Sequence, residues 1–62
     1  MNMKYFDYEH LPERLQVVSK PIGDLARQMV QNLPDNDERE VGLRKLLEAK
    51  DALVRSALYV VS

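Results

Sequence analysis

Cysteine and tryptophan are both absent from this chain of 62 residues. Without cysteine there is no disulfide and no thiolate metal site. There is one histidine, His10, and a single imidazole makes no zinc site without help from carboxylates. The acids are scattered, and none has the spacing of a calcium loop. No apolar run approaches the roughly 20 residues that span a bilayer. The opening MNMKYFDYEH lacks the apolar core of a signal peptide, so no membrane partner is expected. Positive charge is not in excess, since 9 Lys and Arg face 10 Asp and Glu for a net charge of −1. That balance leaves no global basic field to attract long nucleic acid. Catalytic constellations are missing too. Ser19, Ser56 and Ser62 are the hydroxyl nucleophiles apart from Tyr, and no base and orienting acid complete a motif around them. His10, beside Glu9 and near Glu13, reads as a surface residue at a helix start. The expectation is a non-enzymatic protein without a cofactor.

Size adds a constraint. A domain of about 60 residues buries only about 60% of its unfolded surface and is marginal alone. Such chains draw on a disulfide, a metal or a second subunit. With the first two excluded, association with further copies is the remaining source of buried area.

The strongest pattern is LPDNDEREVGLRKLLEAKDALVRSAL, residues 33 to 58. Pro34 disfavours helical geometry at Leu33, and Asp35 and Asn36 suit the turn that follows. Asp35 is read as the cap of a second helix over 36–60, with Glu38 three residues on and placed to reach back. Asp37, Glu38 and Glu40 put negative charge where the helix dipole favours it. Two apolar rows then run side by side. Leu43, Leu47, Val54, Leu58 and Val61 form one, and Leu46, Ala49, Leu53, Ala57 and Val60 the other. One partner helix needs one row, so the second row is read as a face for another copy.

Upstream, Leu11, Leu15, Val18, Ile22, Leu25, Met29 and Leu33 follow helical spacing over 11–33. Pro21 interrupts this stripe. A proline inside a helix costs about 3 kcal/mol, because it removes a hydrogen bond and clashes one turn back. The helix is therefore expected either to kink at Pro21 or to break, with Ser19 capping a new helix; the order Ser19-Lys20-Pro21 slightly favours the break. Residues 1–10 hold three of the four aromatics, Tyr5, Phe6 and Tyr8. This segment is read as irregular and folded against the helices or a neighbour. The whole is predicted to be all-α: a single helical-hairpin domain over 1–62, its two long helices antiparallel because the connection is short, assembling as a homo-oligomer.

Candidate binding residues are basic or aromatic. Glu40–Arg44, Arg44–Glu48 and Asp51–Arg55 are helical pairs worth about 0.2–0.5 kcal/mol each, and most such residues form a solvated face. Arg27, Arg39, Arg44 and Lys45 are nonetheless candidates for an anion site where subunits meet, since the guanidinium fork suits phosphate. Lys20, near a possible helix N-terminus, is another. The N-terminal aromatics suit base stacking, worth about 1–3 kcal/mol per base. Covering the hairpin end or docking on a neighbour is the more ordinary role for such side chains.

The segment DLARQMVQNLPDNDEREVGLRKLLEAKDALV, residues 24 to 54, resembles the small helical-hairpin domain of phage anti-CBASS proteins. These are cyclic-nucleotide sponges, related to a hairpin domain also described for anti-Thoeris proteins. The features carrying the likeness are Leu25-Ala26, Leu33-Pro34, Glu38-Arg39 and the run Gly42-Leu43-Arg44-Lys45-Leu46-Leu47-Glu48-Ala49, covering about half the chain. The resemblance implies a homo-oligomer, a hexamer built from hairpin dimers, without enzymatic activity. It implies a protein of the infected bacterial cytoplasm that sequesters a cyclic di- or trinucleotide second messenger between subunits and so blocks a host immune effector. Its stacking tyrosine corresponds to Tyr8. Its phosphate-binding lysine aligns without gaps to Gly23, and Lys20 lies three residues earlier; near the position of its second-helix tryptophan this chain has Ala52. The alternatives are a sponge for a cyclic ADP-ribose-type signal and a helical oligomer acting as a protein-interaction adaptor.

Overall fold

The structure, a computed structural model, describes residues 1–59. It is a hairpin of two long helices with a one-turn helix strapped across it, and no strand occurs among the described residues. The elements are a 3-10 turn at Met3–Phe6, α1 at Glu13–Asn32 and α2 at Asp37–Leu58.

Helix α1 begins behind Pro12, whose carbonyl accepts from the Leu15 and Gln16 amides at 2.8 and 3.1 Å. The Gln16 side chain reaches back and donates to the Leu11 carbonyl at 2.8 Å, tying the helix start to the loop before it. The helix then runs unbroken through Pro21, so the break expected there does not occur. Pro21 is exposed, while Ala26 is buried with Phe6 and Leu43 and Ile22 packs against that cluster. The local loss of one hydrogen bond is outweighed by apolar packing on both sides of the proline. Ser19, read as a possible new cap, is instead buried in the helix interior with its hydroxyl lacking a partner.

The turn forms where Pro34 demands it. Leu33 takes an extended conformation and its amide still donates to the Met29 carbonyl at 3.0 Å. The cap of α2 is one residue later than expected. Asn36 Oδ1 accepts from the Arg39 amide at 2.8 Å, and Asp35 pairs with the Arg39 side chain at 3.1 Å. Both residues are good cap formers, and the turn geometry selects Asn36.

Residues 1–10 are more regular than the irregular path expected of them. The amide of Lys4 donates to Asn2 Oδ1 at 2.9 Å and starts the 3-10 turn. That turn delivers Phe6 into the core, fully buried with Ala26 and Leu43. Ile22, Val30, Leu46, Leu47 and the side chains of Met1 and Met3 pack around this cluster. The docking depends on Gly23, because a Cβ there would stand 2.8 Å from the Phe6 carbonyl oxygen. The Met1 ammonium lies 2.6 Å from Glu40 Oε1. That hydrogen bond holds the Glu40 carboxyl below its ordinary value, with the charges of Met1 and Arg44 adding to the effect and burial opposing it.

In the first row of α2 Leu43 is buried, Leu47 and Val54 are half-buried, and Leu58 is exposed. In the second row Leu46 and Ala57 are half-buried, whereas Ala49 and Leu53 are exposed. Val60 and Val61 lie outside the described residues. Leu46 of the second row packs against the core cluster while Leu58 of the first is 48% exposed, so neither row is wholly covered by the hairpin.

Two substitutions test this packing. Gly23→Ala gains helix propensity, yet its methyl meets a backbone oxygen; it is expected to destabilise the chain by about 1–3 kcal/mol in thermal unfolding. Ser19→Ala removes a buried hydroxyl without a partner and is expected to stabilise by about 1 kcal/mol, raising the melting temperature by roughly 4–8 °C. A fall in melting temperature for Ser19→Ala would show that the hydroxyl is satisfied.

Candidate functional site

The strap that buries Phe6 also fixes Tyr8, two residues on. Its ring is half-buried and stands over the outer face of α1, with Lys20 Nζ 5.6 Å from the ring centroid. This is cation–π range, worth about 0.5–1 kcal/mol at an exposed site. Lys20 also faces Asp24 one turn later at 3.7 Å. Arg27 follows within the next turn, and its Nη2 donates to Asp7 at 2.6 Å. The spacing 20, 24, 27 keeps these three side chains on one side of the helix. Beyond them the face opens into a shallow depression of about 650 Å³ lined by Pro21, Asp24, Arg27, Gln28 and Gln31.

The cluster is electrically balanced. Two cations, Lys20 and Arg27, meet two carboxylates, Asp24 and Asp7. All four side chains are between 42% and 55% exposed, and ion pairs so placed are worth about 0–1 kcal/mol. A phosphate binding here would displace Asp24 and Asp7 from these donors, after which the guanidinium of Arg27 can offer it two parallel N–H groups. The tyrosine face supplies a flat apolar surface beside them.

Of the six residues singled out in the sequence, the fold gathers Tyr8, Lys20 and Arg27. It does not bring the other three to them. Arg39 acts at the hairpin turn: its Nη1 donates to the Val30 and Leu33 carbonyls at 3.3 and 3.1 Å, satisfying carbonyls at the end of α1. Its side chain is only 16% exposed. Arg44 lies 3.6 Å from Glu40 and is mostly in solvent, and Lys45 is exposed on α2. Within one chain these three do not form an anion pocket.

Gly23, at the position aligned with the lysine of the anti-CBASS pattern, cannot carry a long side chain while Phe6 is seated on it. The cation next to the tyrosine is Lys20 instead. Sequence reasoning missed Asp7 and Asp24 as the carboxylates of the cluster. Asp24 had a local signal, being one turn from Lys20, but Asp7 is twenty residues from Arg27 and had none.

A second feature adjoins the first along α1, with Leu25 common to both. An apolar groove of about 490 Å³ runs between the helices near the turn, with Leu25, Met29 and Leu33 on one wall and Gly42, Leu43 and Leu46 on the other. Among the described residues no group of His, Asp or Glu is placed to hold a metal, and no helix is long and apolar enough to cross a membrane. Comparison with protein-family models, curated proteins and solved structures gives no match to this chain.

Arg39→Met tests the structural assignment of that arginine. Loss of its charged hydrogen bonds to two backbone carbonyls is expected to destabilise by about 1.5–3 kcal/mol in denaturant unfolding. If stability is unchanged, Arg39 is free to serve a ligand instead.

Proposed function

We propose that this chain is a non-enzymatic binder of a cyclic signalling nucleotide, acting as a sponge that keeps the messenger from its effector. The observation that carries the reading is the juxtaposition of the Tyr8 ring with Lys20, 5.6 Å away, with Arg27 farther along the same face of α1. An aromatic plane beside two cations answers the two parts of a nucleotide: the base stacks and the phosphate meets the ammonium and guanidinium. The likeness of residues 24–54 to the anti-CBASS hairpins supports the same class of ligand, a cyclic di- or trinucleotide. In this reading several copies assemble, up to the hexamer of those hairpins. Arg44 and Lys45, separate from the cluster within one chain, join a ligand only where another copy brings it to them. The site of action is then the cytoplasm of an infected bacterial host. A cyclic ADP-ribose-type signal carries the same base and phosphate groups and belongs in the same test.

An adaptor role is the second reading, and the exposed apolar groove favours it. It requires a stoichiometric protein partner and no small molecule.

Thermal unfolding with a panel of cyclic di- and trinucleotides and cyclic ADP-ribose isomers decides between them. A ligand at about 100 times its Kd stabilises by about 2.7 kcal/mol, a shift on the order of 10 °C for a domain of this size. Tyr8→Ala and Lys20→Ala are expected to reduce that shift while leaving the unliganded melting temperature within a few degrees. No shift with any member of the panel removes the sponge reading.

A further inference from the structure

Gly42 is the residue that the single chain does not explain. It lies inside α2, where glycine costs roughly 0.5–1 kcal/mol relative to alanine. Its φ is not positive, and a Cβ built there would meet nothing within 4 Å. Gly23 needs its missing side chain because Phe6 sits on it; nothing in this chain sits on Gly42. What Gly42 does is floor the apolar groove, between Leu46 on its own helix and Leu25 across on α1. Leu25 and Leu33 on the far wall remain 42% and 45% exposed.

Charges flank that floor. Glu38 lies one turn before Gly42, and Lys45 lies about one turn after it. Both are exposed, and among the described residues neither has an ion-pair partner. The midpoint of the two charges falls between Val41 and Gly42. They are separated by seven residues, about 10.5 Å along the helix. A two-fold axis through that midpoint sets Glu38 of each copy against Lys45 of the other. Such self-complementarity is what an isologous contact requires.

We infer that the Gly42 groove is where a second copy of this chain docks, its α2 antiparallel to the first. The missing side chain lets the two helix axes approach to the short end of the usual 8–10 Å range. The exposed walls of the groove, Leu25 and Leu33, are then covered together with Leu46. The docking gives a place to the self-association in the proposed function, and it stands whether or not a nucleotide binds.

Sedimentation velocity over a concentration series, with helicity followed by circular dichroism, tests it. The unaltered chain is expected to sediment as a dimer or a multiple of one. Gly42→Gln, which adds a good helix former and fills the groove, should give monomers of unchanged or higher helicity. Glu38→Lys and Lys45→Glu each set two like-charged pairs across the axis and should weaken association about tenfold or more. The double exchange of both residues should restore it. That rescue separates a lost interface from a damaged helix. Assembly unaffected by Gly42→Gln and by the single exchanges overturns this interface while leaving self-association intact. A chain monomeric at every concentration overturns both and leaves the groove to a foreign helix. Nucleotide binding at the Tyr8, Lys20 and Arg27 cluster of a single chain reads independently of either outcome.

Discussion

The seat of Phe6 on Gly23 holds the molecule together. A helix pair of this length with so few buried side chains has little core of its own. Leu43 and Ala26 supply the facing surfaces, and Phe6 closes the cluster from outside the hairpin. The carbonyl of Phe6 comes so near α1 that only a residue without a side chain can lie beneath it. The strap from Met3 to Tyr8 is arranged around that seat. Asp7 meets Arg27, Tyr8 overlies Lys20, and the Met1 and Met3 side chains pack at the edge of the core.

What was legible in the sequence was what local chemistry decides. Pro34 stops α1, the apolar stripes give two helices, and the short connection pairs them. The misreadings came where a local rule met a distant contact. Pro21 has a real local cost, but Ile22 and Ala26 are held in the core around Phe6 and Leu43 and the helix stays whole. Ser19 has the side chain of a cap but lies in a continuous helix. Asp35 and Asn36 are equivalent as sequence, and the path of the turn chose between them. The Phe6 seat was hidden, because a glycine two residues after a proline looks like punctuation. Seventeen residues separate it from the Phe6 carbonyl that needs it.

Of the candidate site, the types were legible and their neighbours were not. Tyr8 and Lys20 stand together although nothing within twelve residues of sequence announces it. Arg39 was drawn from its guanidinium fork, and the fork is used, on carbonyls of its own chain rather than on a ligand. The two glycines divide the same way. Each looks like a weak point in a helix. One is filled by the chain itself, and the other opens onto the groove.

The strap has a consequence for any ligand that rests on Tyr8. The ring is positioned by the packing of Phe6 and not by a helix of its own, so a chain whose strap has lifted presents Lys20 and Arg27 without their tyrosine. Closure of the strap and occupancy of the ring are then linked equilibria, each favouring the other by the same free energy. Apparent affinity is the intrinsic value scaled by the fraction of chains that are closed. A substitution in the core beneath Phe6 would therefore change binding without touching a single group that meets the ligand.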